Sequence, residues 1–80
     1  MKYPHLTEKS VMLIERANTI AFIVDLKAKK PEIKAEFEEV FEVKVERVNT
    51  EITPEGNKKA FIKLKPEFKA SDVAVKLGVI

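Results

Sequence analysis

Apolar residues recur along this chain with two periods, every second residue in some stretches and every third or fourth in others. The switches between the two mark its elements. In residues 48–64, VNTEITPEGNKKAFIKL, two strand-like runs flank Thr53-Pro54-Glu55-Gly56-Asn57, where Pro54 presets φ for a turn and Gly56 tolerates positive φ; the pattern predicts a β-hairpin. Its second strand puts Ala60, Ile62 and Leu64 on one face and Lys59, Phe61, Lys63 and Lys65 on the other, and Pro66 ends it. Before the hairpin, Val43 and Val45 share one parity while Val48, Thr50 and Ile52 share the other, which requires either a bulge or a strand that is apolar on both sides. Residues 19–26 alternate Ile20, Phe22, Val24 and Leu26 with Ala21 and Ile23. Both sides are apolar, as in a strand covered on both faces.

The longer period predicts helices. Thr7 is placed to cap one over residues 8–17, with Leu6 and Val11 at the spacing of a hydrophobic staple. Val11 and Ile14 face inward there, with Leu13 and Ala17 as further candidates. Glu8, Lys9, Ser10, Glu15 and Arg16 are left outward, and Asn18 provides a left-handed stop. Pro31 opens a second helix that reaches Phe41, with Ile33, Phe37, Val40 and Phe41 at i, i+4, i+7 and i+8 and an i,i+4 pair of Lys34 with Glu38. Ser71 is expected to cap a short third helix in which Val73 and Leu77 pack inward. Asp72 and Lys76 suit its two ends, Gly78 closes it, and Val79 and Ile80 fold back onto the core. Residues 1–5 are expected as an edge strand, because Pro4 cannot donate to a ladder. The order is β-α-β-α-β-β-α in a single domain, residues 1–80: a small split β-α-β sheet in which the second hairpin strand lies between two parallel neighbours.

Composition narrows the function. Eighty residues support one small core, and the absence of cysteine excludes disulfides and thiolate metal sites. No apolar run approaches a membrane span and the N-terminus lacks a signal-peptide core, so the expected setting is the cytoplasm without membrane insertion. Lysine and glutamate are abundant and glutamine is absent, a composition associated with heat adaptation. The net charge of +2 is mild, but acidic residues gather in the middle of the chain while lysines dominate residues 27–34 and 58–69.

The chemistry available is that of binding rather than catalysis. His5 is the only histidine, both glycines lie in a turn and at a helix end, and the glutamates of the second helix form its wet face. No metal site, phosphate loop or catalytic set can be assembled, and neither enzyme activity nor a cofactor is expected. Lys58, Lys59, Lys63 and Lys65 are spaced to meet phosphates, with Asn49 and Thr50 beside them as short hydrogen-bonding side chains. Lys27, Lys29, Lys30 and Lys34 form a second cluster at a helix N-terminus. Phe61 is expected to pack in the core under a helix, with stacking on a base as the alternative.

Several segments resemble the family of large-subunit ribosomal protein twenty-three, the universal protein at the polypeptide exit tunnel. They are Pro4-His5-Leu6-Thr7-Glu8-Lys9-Ser10, Asn18-Thr19, Glu32-Ile33-Lys34, Val45-Glu46-Arg47-Val48-Asn49-Thr50 and Lys58-Lys59-Ala60-Phe61-Ile62-Lys63-Leu64, with the ending Lys76-Leu77-Gly78-Val79-Ile80 similar to the archaeal branch. The resemblance implies a three-layer α/β/α fold with a small four-stranded antiparallel sheet, no enzymatic activity, and binding to large-subunit rRNA beside neighbouring ribosomal proteins in the cytoplasmic ribosome. The rRNA-binding set it marks, together with the lysine clusters, is His5, Lys9, Asn18, Thr19, Lys29, Lys30, Lys34, Arg47, Asn49, Thr50, Lys58, Lys59 and Lys63. Glu8 matches the glutamate at which a chaperone docks in bacterial relatives, which implies a docking point for signal recognition particle or nascent-chain chaperones. Bacterial members extend the hairpin loop into the tunnel, whereas residues 52–57 here are a tight turn, and no tunnel-lining role is expected of it. The alternative is a freestanding split β-α-β domain that binds RNA or acts as a protein adaptor.

Overall fold

The computed structural model describes residues 3–4 and 8–78, without the side chains of Tyr3, Glu8 and Lys9. Its elements are β1 (Tyr3–Pro4), α1 (Glu8–Ala17), β2 (Thr19–Val24), α2 (Lys30–Phe41), β3 (Val45–Ile52), β4 (Lys58–Leu64) and α3 (Ala70–Leu77). The chain is mixed α/β with three helices and an antiparallel sheet whose body is β2, β4 and β3. The two-residue β1 pairs along the outer side of β2, giving the order β1-β2-β4-β3. β4 runs antiparallel to both neighbours, so β2 and β3 point the same way with the hairpin's second strand between them. This central place explains why Ala60, Ile62 and Leu64 are among the most deeply buried residues.

Two faces of the sheet have different fates. Ile20, Phe22 and Val24 of β2 and Ala60, Ile62 and Leu64 of β4 join one core cluster with Ile14 of α1, Ile33 and Phe37 of α2, and Ala70, Val73 and Ala74 of α3. Ala21 and Ile23 are buried on the opposite side of β2 and do not belong to that cluster. All three helices contribute to this one cluster, and among the described residues no second cluster marks the further layer expected from the resemblance. Three rings fix α2 to β2: Phe22 meets Phe37 edge-on at 5.7 Å, and Phe41 lies 4.6 Å from Phe37.

The phase change in β3 is a bulge. Val45 pairs with Leu64 and Arg47 with Lys63, so Glu46 is the extra residue, and beyond it Val48 faces Ile62 in the core. The hairpin turn closes as the Pro and Gly placement requires. Gly56 N–H donates to the Thr53 carbonyl at 2.9 Å, Thr53 N–H to the Asn57 carbonyl at 2.7 Å, and Gly56 sits at φ +86°.

Several expectations change. β2 ends at Val24, and Leu26 lies in a turn, 54% exposed, because the chain must leave the sheet there to reach α2. Val40 is 60% exposed: only Ile33, Phe37 and Phe41 of the proposed stripe meet the core, a narrower face than the spacing suggested. Ser10 is buried, since it lies one turn before Ile14 on the inward side of α1. The carboxylate of Glu38 accepts a 2.8 Å hydrogen bond from Val45 N–H, tying the end of α2 to the start of β3 in place of the expected pair with Lys34. α3 begins at Ala70, with Lys69 rather than Ser71 at the N-cap position and no capping bond from its own residues. The Thr7 cap, the Leu6 staple and the folding back of Val79 and Ile80 lie outside the described residues.

Candidate nucleic-acid interface

Asn18 takes over the capping that Ser71 was expected to perform. It has the left-handed φ of 50° expected at the end of α1, and its side chain reaches across to the far part of the chain. Ala70 N–H, the first amide of α3, donates to Asn18 Oδ1 at 2.6 Å, while Asn18 Nδ2 donates to the carbonyls of Phe68 at 2.8 Å and Leu64 at 3.2 Å. One amide thus satisfies a helix N-terminus, the last carbonyl of β4 and a carbonyl of the loop before α3. Thr19 is similarly occupied, buried with its hydroxyl donating to the Ala17 carbonyl at 2.8 Å.

The remaining candidates separate by strand parity. Below the bulge, Arg47, Asn49 and Glu51 of β3 alternate away from the core, and their cross-strand partners on β4 are Lys63, Phe61 and Lys59. Behind these on β2 stand Thr19, Ala21 and Ile23. The result is the sheet face opposite the core cluster, buried along β2 and accessible along β3. Arg47, Asn49 and Glu51 are exposed on it, and Phe61 is half-buried at its centre. The core packing expected of Phe61 is thereby corrected: β4 points Ala60 and Ile62 into the core, so the residue between them must point away.

Electrostatics across this face are paired rather than simply positive. Lys59 Nζ is 3.7 Å from a Glu51 carboxylate oxygen and 5.6 Å from the centre of the Phe61 ring, and Lys63 Nζ is 3.4 Å from Glu46. Both glutamates were missed in the sequence. Glu51 lies directly opposite Lys59, a cross-strand pairing that parity could have suggested, whereas Glu46 reaches the face only because of the bulge. Lys59 is the more enclosed of the two lysines, but both glutamates are open to solvent, and such pairs contribute on the order of 1 kcal/mol, so the lysines can exchange one anionic partner for another at modest cost.

The other predicted residues do not join this face. Thr50 has core-side parity opposite Ala60. Lys58 likewise turns to the helical side, where its ammonium donates to the Ala28 carbonyl at 2.6 Å. Lys29, Lys30 and Lys34 are exposed around the start of α2, in the helical layer, so the two lysine clusters of the sequence form two surfaces and not one. Between α2 and the end of β2 lies a depression of about 280 Å³ lined by Asp25, Lys27, Glu32 and Glu36 among others, too acidic to attract phosphate. Lys9 and Glu8 fall in the first turn of α1, but their side chains, like all of His5, lie outside the described residues. Among the described residues no group of three His, Cys, Asp or Glu side chains could hold a metal ion, and no helix is long and apolar enough to cross a membrane.

Fold and surface together define a class: a small α/β domain of split β-α-β type, helices on one sheet face and an aromatic ring among charged and amide side chains on the other. The comparisons with known proteins agree and go further. The family model described as Ribosomal protein L23 matches residues 1–78. The chain is 57% identical over 76 residues to the "Large ribosomal subunit protein uL23" of Methanothermobacter thermautotrophicus and 55% identical to that of Methanobrevibacter smithii. In each case the match covers 95% of this chain and 88% of the relative. The chain belongs to the ribosomal protein L23 family. It is accordingly a structural protein of the large subunit of the cytoplasmic ribosome, not an enzyme.

Proposed function

We propose that this protein binds large-subunit rRNA through the open sheet face, with Arg47, Asn49, Lys59 and Lys63 as its contacts, and that Lys29, Lys30 and Lys34 meet a second RNA segment from the helical side. The observation that carries the reading is the row Lys59-Phe61-Lys63 facing Glu51, Asn49 and Arg47, a surface with cations, a hydrogen-bonding amide and a half-buried ring on the accessible β3–β4 side of the sheet. Cations supply sequence-independent attraction to phosphate, and short polar side chains fix register. In the same proposal the Glu8 end of α1 receives factors that meet the nascent chain, signal recognition particle or chaperones among them. Support for that part is the resemblance around Glu8 and its position in the first turn of α1.

Reconstitution of large subunits tests both parts. Lys59→Glu combined with Lys63→Glu should lower incorporation at moderate salt by about tenfold or more, since two phosphate contacts become two repulsions. Glu8→Ala should incorporate normally and weaken recruitment of exit-site factors. Normal incorporation of the double variant would overturn the RNA reading, and undiminished recruitment by Glu8→Ala subunits would overturn the docking reading. Cosedimentation with RNA but never with subunits would favour a freestanding RNA-binding domain.

A further inference from the structure

We infer that Phe61 is a stacking platform for one unpaired RNA base, with Lys59 as the side chain that vacates the ring and moves to the backbone phosphate when the base arrives. This rests on the proposal that the open face binds RNA and specifies what kind of RNA it takes.

The ring is the only aromatic among the described residues of β2, β3 and β4 that lies on the open face; Phe22 points into the core. Its cross-strand neighbours are Ala21 on one side and Asn49 on the other, a small residue and an exposed amide. Ala21 is buried, so the ring is approached from the β3 side, where the exposed Asn49 amide presents a donor and an acceptor together, the combination that reads a base edge. Lys59 and Lys63 stand two residues to either side of Phe61, about 7 Å along the strand, so a base on the ring brings its own backbone within reach of a lysine stem.

In the unbound protein Lys59 lies 5.6 Å from the ring centre and 3.7 Å from Glu51, its side chain 20% exposed. Neither contact is a strong anchor: the ion pair is longer than a hydrogen bond, and its Glu51 partner is exposed to solvent. A base that displaces the ammonium gains the ring surface, and the ammonium gains a phosphate in place of a carboxylate. A duplex cannot do this, because its base faces are already stacked. The structure therefore points to an unpaired nucleotide in a loop, bulge or strand end.

The full chain contains no tryptophan, so Phe61→Trp places a single indole at the site while preserving a stacking surface. Saturating single-stranded RNA oligonucleotide should quench that indole, and the same sequence annealed into a duplex should leave it unchanged. Phe61→Leu should weaken single-strand binding by at least about fivefold while leaving duplex binding unaltered. An unquenched indole at saturation, or equal quenching by duplex, overturns the inference, as does Phe61→Leu binding single strands as well as the parent. Should the leucine variant fail to fold, the indole signal decides alone. If Lys59→Glu with Lys63→Glu abolishes subunit incorporation while the indole is not quenched, stacking is wrong and RNA binding by this face stands. If that double variant assembles normally, the RNA reading of the face falls as well.

Discussion

Asn18 does more for the structure than any other polar side chain described. Its amide closes the start of α3 and the approach to it, and its backbone carbonyl accepts from Leu64 N–H at 3.1 Å. Asn18→Ala removes the side-chain bonds, leaves the backbone bond to Leu64 in place, and puts a Cβ-bearing residue without local hydrogen bonding at φ 50°. The expected loss is about 3 kcal/mol, read as a lower urea midpoint with unchanged slope. Asn18→Gly should recover about 1 kcal/mol of that by relieving the backbone alone, which separates the two contributions. The left-handed turn was legible in the sequence because asparagine tolerates it locally. The cap was not, because the group it serves lies 52 residues away and Ser71 offered a nearer candidate. Phe61 was misjudged for a related reason: the alternation put it opposite Ala60 and Ile62, but which face the helices covered was not written in β4 itself.

The helices at residues 8–17 and ending at Phe41 follow their periodicity closely, since each has a buried stripe and a definite stop. Periodicity overreached at Leu26, where the apolar run outlasted the strand, and at Val40, where the face of α2 that meets the core is narrower than the apolar spacing. The β3 bulge was legible only as a contradiction between parities, yet it decides the character of the open face by sending Glu46 and Arg47 to it on consecutive positions. The hairpin turn, by contrast, follows from local chemistry. Gly56 has φ +86° with nothing within 4 Å of where a Cβ would sit, so Gly56→Ala should cost about 1 kcal/mol from backbone strain alone. Thermal denaturation should show a lower midpoint with RNA binding unaltered.

Across the molecule, charge is divided so that cations on the open face have anionic neighbours on the adjacent strand. The glutamates restrain indiscriminate attraction to phosphate, and RNA must compete with them for Lys59 and Lys63. Glu46→Gln combined with Glu51→Gln should therefore tighten binding to unrelated RNA at low salt. Filter binding should show the gain disappearing toward about 1 M salt, where screening reaches roughly 3 Å. A gain that persists at that concentration would exclude an electrostatic origin.

The long reach of Asn18 also governs the order in which the chain can mature. β2 finds its central neighbour only when residues 58–63 are available, and the end of α1 finds its partners only when residues 64–70 are in place. Closing these large loops precedes any reward from the contacts they enable, so the first and last thirds of the chain must come together in one cooperative step. A fragment stopping before residue 58 leaves Ile20, Phe22 and Val24 without the strand that pairs beside them, and it should show no cooperative unfolding transition of its own.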